Sequence, residues 1–188
     1  IKTLTNAMEN LHKKEKLEHM NQILSDLYVR DSVTGLYNRM GYQKLSISYF
    51  TIMREKKMPV LVMFIDLDRL KYINDTFGHE YGDFAIVSIA KAMLKHCDAD
   101  AIAARTGGDE FIVLEGAKDE ESGRVLAQKI RTELSKTQRA MQLPFDLSAS
   151  IGAVVAHPGE ENVLESYVKR AEMLMYEEKA EKKVSRDS

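Results

Sequence analysis

A pair of glycines between two short apolar runs sets the first limit on the fold of this chain. Gly107-Gly108 lies between residues 101–104 and 111–114, and Asp109 and Glu110 follow it directly. Because only glycine takes positive φ at both central positions of a tight turn without a steric penalty, the pattern predicts a β-hairpin. The two adjacent carboxylates at its tip repel each other, so a divalent metal ion is their simplest partner. A solvated acidic turn is the alternative.

A second acidic pair follows a predicted buried strand. Residues 60–65 form a continuous apolar run that opens after Pro59 and is too short for a globular helix. Asp66 and Asp68 come next, at the strand end where active sites of α/β proteins collect. Beyond them, a short helix closed by Gly78 leads into another helix and carries cationic, amide and carboxylate groups.

Together these motifs closely resemble the GGDEF family of diguanylate cyclases. The resemblance covers about residues 30–183 and rests on four motifs in order: Asp31–Arg39, Asp66–Asp68, Asn74–Asp83 and Arg105–Phe111. It implies an α/β fold with a mixed central β-sheet flanked by helices, the palm-like nucleotidyl cyclase fold. It also implies that two GTP molecules condense to cyclic di-GMP with release of pyrophosphate.

The resemblance assigns the catalytic and metal-binding groups. Asp66, Asp109 and Glu110 match the family's catalytic acids and metal ligands, and the backbone carbonyl of Leu67 matches a further ligand. Two Mg²⁺ ions per active site are implied, with Mn²⁺ as a substitute, because hard oxygen ligands suit such ions. Asp109 also matches a residue that helps to deprotonate the ribose 3′-hydroxyl, a role that the metal alone could fill.

Further positions match the nucleotide-binding groups of the family. Asn74 and Asp83 match the pair that recognises guanine, whose N1 and N2 donors a carboxylate can accept. The cations assigned to the triphosphate are Lys71, Lys179 and Lys183. Arg105, Gly107 and Gly108 are expected to shape the turn rather than to react.

The chain departs from the family at two places. Lys182-Lys183-Val184 stands where relatives usually have Gly-Arg-Asn, so Lys183 keeps a charge but loses the bidentate fork of arginine. The register of the Arg-x-x-Asp product-binding site falls on residues 98–101, where Asp98 and Ala101 replace its two charged residues. An acid at that place repels the phosphates of the product, so we predict that feedback inhibition through this site is absent.

Residues 1–29 are predicted to form one long helix that precedes the domain. Their leucines and methionines recur at three- and four-residue steps without Gly or Pro, although the heptad phase shifts across residues 13–16. A signalling coiled coil is one interpretation, and a helix packed on its own domain is the other. For a reaction between two GTP-loaded subunits, a homodimer through this helix with facing active sites has an evident use. The predicted domains are therefore 1–29, 30–183 and a tail at 184–188.

Composition limits the remaining possibilities. The chain has 188 residues, 44% hydrophobic and 30% charged, with a net charge of −2, which suits one core-bearing domain and an appendage. Cations are dispersed among acids rather than gathered in a basic stripe, so nucleic-acid binding is not expected. Cys97 is a single cysteine, and no apolar run approaches the length of a membrane span. We expect a cytoplasmic protein, or the cytoplasmic end of a larger sensor whose membrane segments lie outside this chain.

Two classes of function follow. The first is an active, Mg²⁺-dependent diguanylate cyclase that works as a homodimer. The second is a GTP-binding or dimerising regulatory module that keeps the fold without turnover. Intact acids at positions 66, 109 and 110 favour the first, and the replacement of Gly-Arg-Asn leaves room for the second.

Overall fold

The protein folds as a central antiparallel sheet between two layers of helices. A computed structural model describes residues 28–160 and 163–187, together with 12–14, 16–17 and 20. From residue 28 onward the described helices are α1 (Arg39–Glu55), α2 (Leu70–Phe77), α3 (His79–His96), α4 (Ser122–Ala140) and α5 (Leu164–Asp187). The strands are β1 (Val60–Leu67), β2 (Ile102–Arg105), β3 (Glu110–Gly116) and β4 (Ala149–Ala156).

The four strands lie in the order β2-β3-β1-β4, and every neighbouring pair is antiparallel. Parallel pairing within the described residues is limited to one bridge, between Tyr37 and Ala104 at the β2 edge. The predicted α/β fold with a central sheet flanked by helices is confirmed. The sheet is less mixed than predicted, because a single bridge supplies its parallel part.

Side chains of β1 alternate between the two apolar cores, and this alternation also determines the direction of the acids at its end. Leu61, Met63 and Ile65 pack in the core beneath α3 and α4, whereas the even-numbered residues 60, 62 and 64 pack in the core beneath α1 and α5. Because successive side chains of a strand point to opposite faces, Asp66 and Asp68 continue the even series toward α5. The same periodicity that fills the core therefore directs both carboxylates toward one helix.

The Gly-Gly hairpin is present, but its predicted backbone conformation is wrong. Four residues, 106–109, separate β2 from β3, and neither Gly107 nor Gly108 has positive φ. The longer loop reverses the chain without the left-handed conformation that a two-residue turn needs. A Cβ atom at Gly107 would lie 2.6 Å from Oε2 of Glu110, so a larger residue there would displace this carboxylate.

Element boundaries follow local hydrogen bonds. Asn38 precedes a run that predicts a helix from Arg39, and it caps α1, because its side-chain oxygen accepts from the Gly41 amide at 2.9 Å. The sequence pattern predicts a strand from Phe145, yet β4 begins at Ala149. Two of the preceding residues have partners outside the sheet: the Phe145 ring packs on Phe77 and Tyr81, and the Leu147 amide donates to the Gln138 side chain.

The predicted N-terminal helix lies largely outside the described residues. Residues 12–14, 16–17, 20 and 28–29 are helical, and the pairing of this segment stays a prediction. At the other end, residues 184–187 continue α5. Within the described part of the chain, no helix is both long enough and apolar enough to cross a bilayer.

Candidate active site

The end of β1 meets the hairpin and brings the three predicted acids to one place. Asp66 lies directly opposite Glu110 on β3 and opposite Ser150 on β4, so these three side chains share one face of the sheet. The amide of Leu67 donates to the carbonyl of Asp109 at 2.9 Å. Strand pairing thus places Asp66 beside both acids of the hairpin, across more than forty residues of sequence.

Asp66 is buried and faces a lysine of α5. The Lys179 ammonium lies 2.6 Å from Oδ1 of Asp66, whose side chain is only 6% exposed. Burial raises the pKa of Asp66, and the charges of Asp109 and Asp68 add to the rise, although Lys179 opposes it through its hydrogen bond and charge.

Arg105 fixes the hairpin to the segment that enters the domain. Its guanidinium donates to the Gly108 carbonyl at 2.8 and 3.2 Å, and to the Asp31 carboxylate at 3.2 Å. Asp31 also accepts from the amide and hydroxyl of Thr34. These contacts connect the turn to the residues that follow the N-terminal segment, and the role of Arg105 stays a prediction.

The proposed guanine-recognition pair lies where α2 meets α3. A methyl group added at Gly82 would overlap the side-chain oxygen of Asn74, so this carboxamide rests directly on the backbone next to Asp83. Asp83 is exposed in the first part of α3, and Lys71 is exposed in the first turn of α2. Helix packing therefore brings the Asn74 carboxamide against Gly82, the residue that precedes Asp83.

Lys182, to which the motifs give no role, also lies at this end of the sheet. Its ammonium lies 3.1 Å from Oδ2 of Asp68; the Ser148 hydroxyl donates to the same oxygen, and the Ser150 hydroxyl donates to Oδ1. Burial opposes ionisation of Asp68, but these hydroxyls and Lys182 lower its pKa. Lys183, which was assigned to phosphate, is exposed on α5. Two acids two residues apart, Asp66 and Asp68, and two lysines one helical turn apart are the sequence signal that could have indicated this pairing.

The acids fit a divalent metal ion by chemistry, but they do not form a preformed cage. Among the described residues, no three His, Cys, Asp or Glu side chains are grouped closely enough to hold an ion. At present the cation against the buried Asp66 is Lys179. Three carboxylates from two adjoining strand ends, partly open to solvent, supply the few oxygen ligands that Mg²⁺ takes when substrate phosphates complete its shell.

Known proteins share both the sequence pattern and the fold. Residues 28–185 match the family described as "Diguanylate cyclase, GGDEF domain". The coiled coil and GGDEF domain of DgcB from Caulobacter crescentus, solved in complex with c-di-GMP, superposes with a TM-score of 0.77. That match covers 94% of this chain and 93% of the other at 22% identity, so it supports the fold alone.

Curated relatives carry more than one kind of name. Diguanylate cyclase VdcA from Vibrio cholerae is 34% identical over 79% of this chain and 43% of its own. Cyclic di-GMP phosphodiesterase NbdA from Pseudomonas aeruginosa is 27% identical over 88% of this chain and 21% of its own. The chain thus spans less than half the length of these relatives. Because the family match covers nearly all described residues, the chain belongs to the GGDEF domain family of diguanylate cyclases.

Proposed function

We propose that this chain condenses two GTP molecules into cyclic di-GMP. In each half-reaction a ribose 3′-oxygen forms a bond to the α-phosphorus of the other GTP, and the bond to the leaving pyrophosphate breaks. The hydroxyl proton passes to a base, and the second half-reaction closes the ring with a second pyrophosphate released. The observation that carries the proposal is the placement of Asp66 opposite Glu110 and beside Asp109.

Asp66, Asp109, Glu110 and the carbonyl of Leu67 are the groups that would hold Mg²⁺, with Mn²⁺ as a substitute. When bound, the two ions expected per site neutralise the triphosphate and stabilise charge on the attacking and leaving oxygens. The protein supplies rigidity: Asp66 is fixed by pairing on both sides of β1, and Gly107 leaves room for the Glu110 carboxylate. Asp109 serves as metal ligand, as acceptor of the hydroxyl proton, or as both.

Lysines around the acids are proposed to bind the triphosphate. Lys179 reaches the acids from α5, Lys71 lies at the start of α2, and Lys183 is exposed one turn beyond Lys179. A lysine meets phosphate as a mobile point charge, so each of these contacts tolerates small displacements. The contact between Lys179 and Asp66 has to break when substrate binds, because the phosphate competes for the Lys179 ammonium and the metal ion competes for the Asp66 carboxylate.

Guanine selection is assigned to Asp83 and Asn74. Replacing Asp83 with alanine is expected to lower the preference for GTP over ATP by about a hundredfold, because the N1 and N2 donors of guanine lose their acceptor. The measurement is kcat/KM for both nucleotides. Glu80→Ala, an exposed acid in the first turn of the same helix, is the control. Unchanged preference in the Asp83 variant would remove this residue from guanine recognition.

Replacing Gly82 with alanine is expected to affect the same pocket by a steric effect. Alanine at this position displaces the Asn74 carboxamide, so KM for GTP should rise by about tenfold while kcat at saturation stays within about twofold. Steady-state kinetics over a wide range of GTP concentrations separate the two parameters. A fall in kcat with unchanged KM would place Asn74 outside the guanine pocket.

Feedback inhibition is expected to be absent at residues 98–101. Asp98 lies beside the buried Glu115, which accepts the Asp98 amide at 3.0 Å, and Asp100 adds a further negative charge. Such a surface repels the product's phosphates. Added cyclic di-GMP should therefore leave the initial rate at saturating GTP within about twofold of its starting value. Non-competitive inhibition that disappears in Asp98→Ala would contradict the prediction.

The homodimer is part of the proposal, because one domain presents one 3′-hydroxyl and one α-phosphate. The test incubates the purified chain with GTP and Mg²⁺ at several protein concentrations and separates the nucleotides by chromatography. Cyclic di-GMP whose specific rate rises with protein concentration supports a dimeric cyclase. Bound but unconverted GTP in a demonstrated dimer would instead support the regulatory module.

A further inference from the structure

The end of α5 is joined to the sheet by a partly buried ion-pair network centred on Lys182. Its ammonium contacts Oδ2 of Asp68 at 3.1 Å, the Ala149 carbonyl at 2.7 Å and Oε1 of Glu178 at 2.8 Å. The Ser150 hydroxyl is a fourth and longer contact at 3.3 Å, so all three donors of the ammonium have acceptors within the protein. The network holds one lysine between α5, β1 and β4.

The partners of Lys182 are themselves held. Asp68, whose side chain is 4% exposed, accepts from Ser148 and Ser150 at 2.8 and 2.6 Å. The Glu178 carboxylate lies 2.7 Å from the Arg131 guanidinium of α4 and accepts the Ile151 amide of β4 at 3.3 Å. The network therefore ties α5 to three other elements rather than forming an isolated surface pair.

Lys179, one turn earlier, is held much less firmly. It contacts the Asp66 carboxylate, and its side chain is 39% exposed against 27% for Lys182. The two lysines lie on one side of α5 and contact Asp66, near the end of β1, and Asp68, just beyond it. One lysine–aspartate pair is thus fixed by further bonds, and the other is open to exchange with an incoming ligand.

Lys182 stands at the glycine of the family motif Gly-Arg-Asn, and a glycine there would bring no ammonium to Asp68. The helix continues past this point to Asp187, so the Lys182 side chain is presented from a regular helical turn. The replacement of Gly-Arg-Asn by Lys182-Lys183-Val184 therefore adds the contact between Lys182 and Asp68, and it also replaces the arginine with Lys183.

We propose that Lys182 is a positioning residue for GTP binding: by joining α5 to Asp68 it keeps Lys179 in register with the acids and the triphosphate. The inference rests on the proposed function. Lys182 itself need not contact the nucleotide, since its three donors are already used within the protein. Its effect on binding should pass through Lys179.

A double-mutant cycle tests that route. Affinity for a non-hydrolysable GTP analogue with Mg²⁺ is measured by calorimetry for Lys182→Met, Lys179→Met and the double variant. Lys182→Met is expected to weaken binding by about tenfold in the unaltered background and by less than about twofold once Lys179 is gone. If Lys182 only stabilised the fold, its replacement would weaken binding equally in both backgrounds. The melting temperature of each variant measures the loss of stability separately. Lys169→Met, at an exposed lysine of the same helix, is the matched control.

Conservative variants complete the test. Lys182→Arg, which keeps the charge, should recover most of the affinity, and Lys182→Gln replaces the methionine variant if that protein does not fold. Additive losses in the cycle, or unchanged affinity in Lys182→Gln, would overturn the inference while leaving the cyclase proposal intact. Failure of the unaltered chain to bind the analogue would refute the proposed function, and this inference with it.

Discussion

Replacing Asp109 with asparagine is expected to lower the rate of cyclic di-GMP formation by about a thousandfold or more. Asparagine keeps the shape of the side chain but removes its negative charge. Asp109 adjoins Glu110, and its carbonyl binds the Leu67 amide, so its backbone is fixed beside Asp66. The lost charge would therefore weaken metal binding and remove the candidate proton acceptor without rearranging the hairpin.

The measurement is initial-rate chromatography of products at saturating GTP and Mg²⁺. Glu165→Gln, an exposed acid in the first turn of α5, is the control and should keep the original rate. Circular dichroism and thermal unfolding should match for the two variants. Full activity in Asp109→Asn would exclude this carboxylate from the reaction.

A second large effect is expected on stability, from Gly152→Ala in β4. A Cβ atom at this position would overlap the carbonyl oxygen of Ala171 and the amide nitrogen of Met175, both in α5. Backbone atoms within a helix cannot move aside as a flexible side chain can, so α5 would have to shift away from the sheet. We expect the free energy of unfolding to fall by about 3 kcal/mol.

Urea unfolding of the purified chain measures this loss. Gly116→Ala is a matched control at the end of β3, because a Cβ atom there would meet only the terminal methyl groups of Met53 and Met58. Its free energy of unfolding should change by less than about 1 kcal/mol. Equal stability of the two variants would show that α5 and β4 are not packed backbone to backbone.

The sequence contains much of this fold because its strongest patterns are local. The continuous apolar run before Asp66 can be buried on both faces, and β1 is the central strand that this predicts. Asn38 caps α1 because its side chain and the Gly41 amide are three residues apart. Such features depend on neighbours in sequence, so they can be predicted from periodicity and from the capping preferences of residues.

Other features depend on partners distant in sequence. The start of β4 at Ala149 is set by aromatic packing of Phe145 and by the Gln138 side chain, neither of which alternation along the strand reveals. The conformation of Gly107 follows from the four-residue length of the loop, which a Gly-Gly signal does not specify. For β4 and for the hairpin, the apolar pattern therefore predicted the element correctly, but it predicted the wrong first residue for β4 and the wrong backbone conformation for the turn.

The candidate site divides in the same way. The family motifs identified Asp66, Asp109 and Glu110, and their assigned roles stay proposals although strand pairing brings their residues together. Lys182 was missed because its partner Asp68 lies 114 residues away and only the register of α5 on the sheet unites them. A resemblance to relatives could not indicate a contact made by a residue that those relatives usually lack.

The most direct test of the account is a crystal structure of the chain with a non-hydrolysable GTP analogue and Mn²⁺. The account predicts anomalous peaks at about 2.1 Å from carboxylate oxygens of Asp66 and of the Asp109-Glu110 pair, with Lys179 moved from Asp66 toward phosphate. Nucleotide bound elsewhere, or bound here with Lys179 still paired to Asp66 and no metal between the acids, would contradict it.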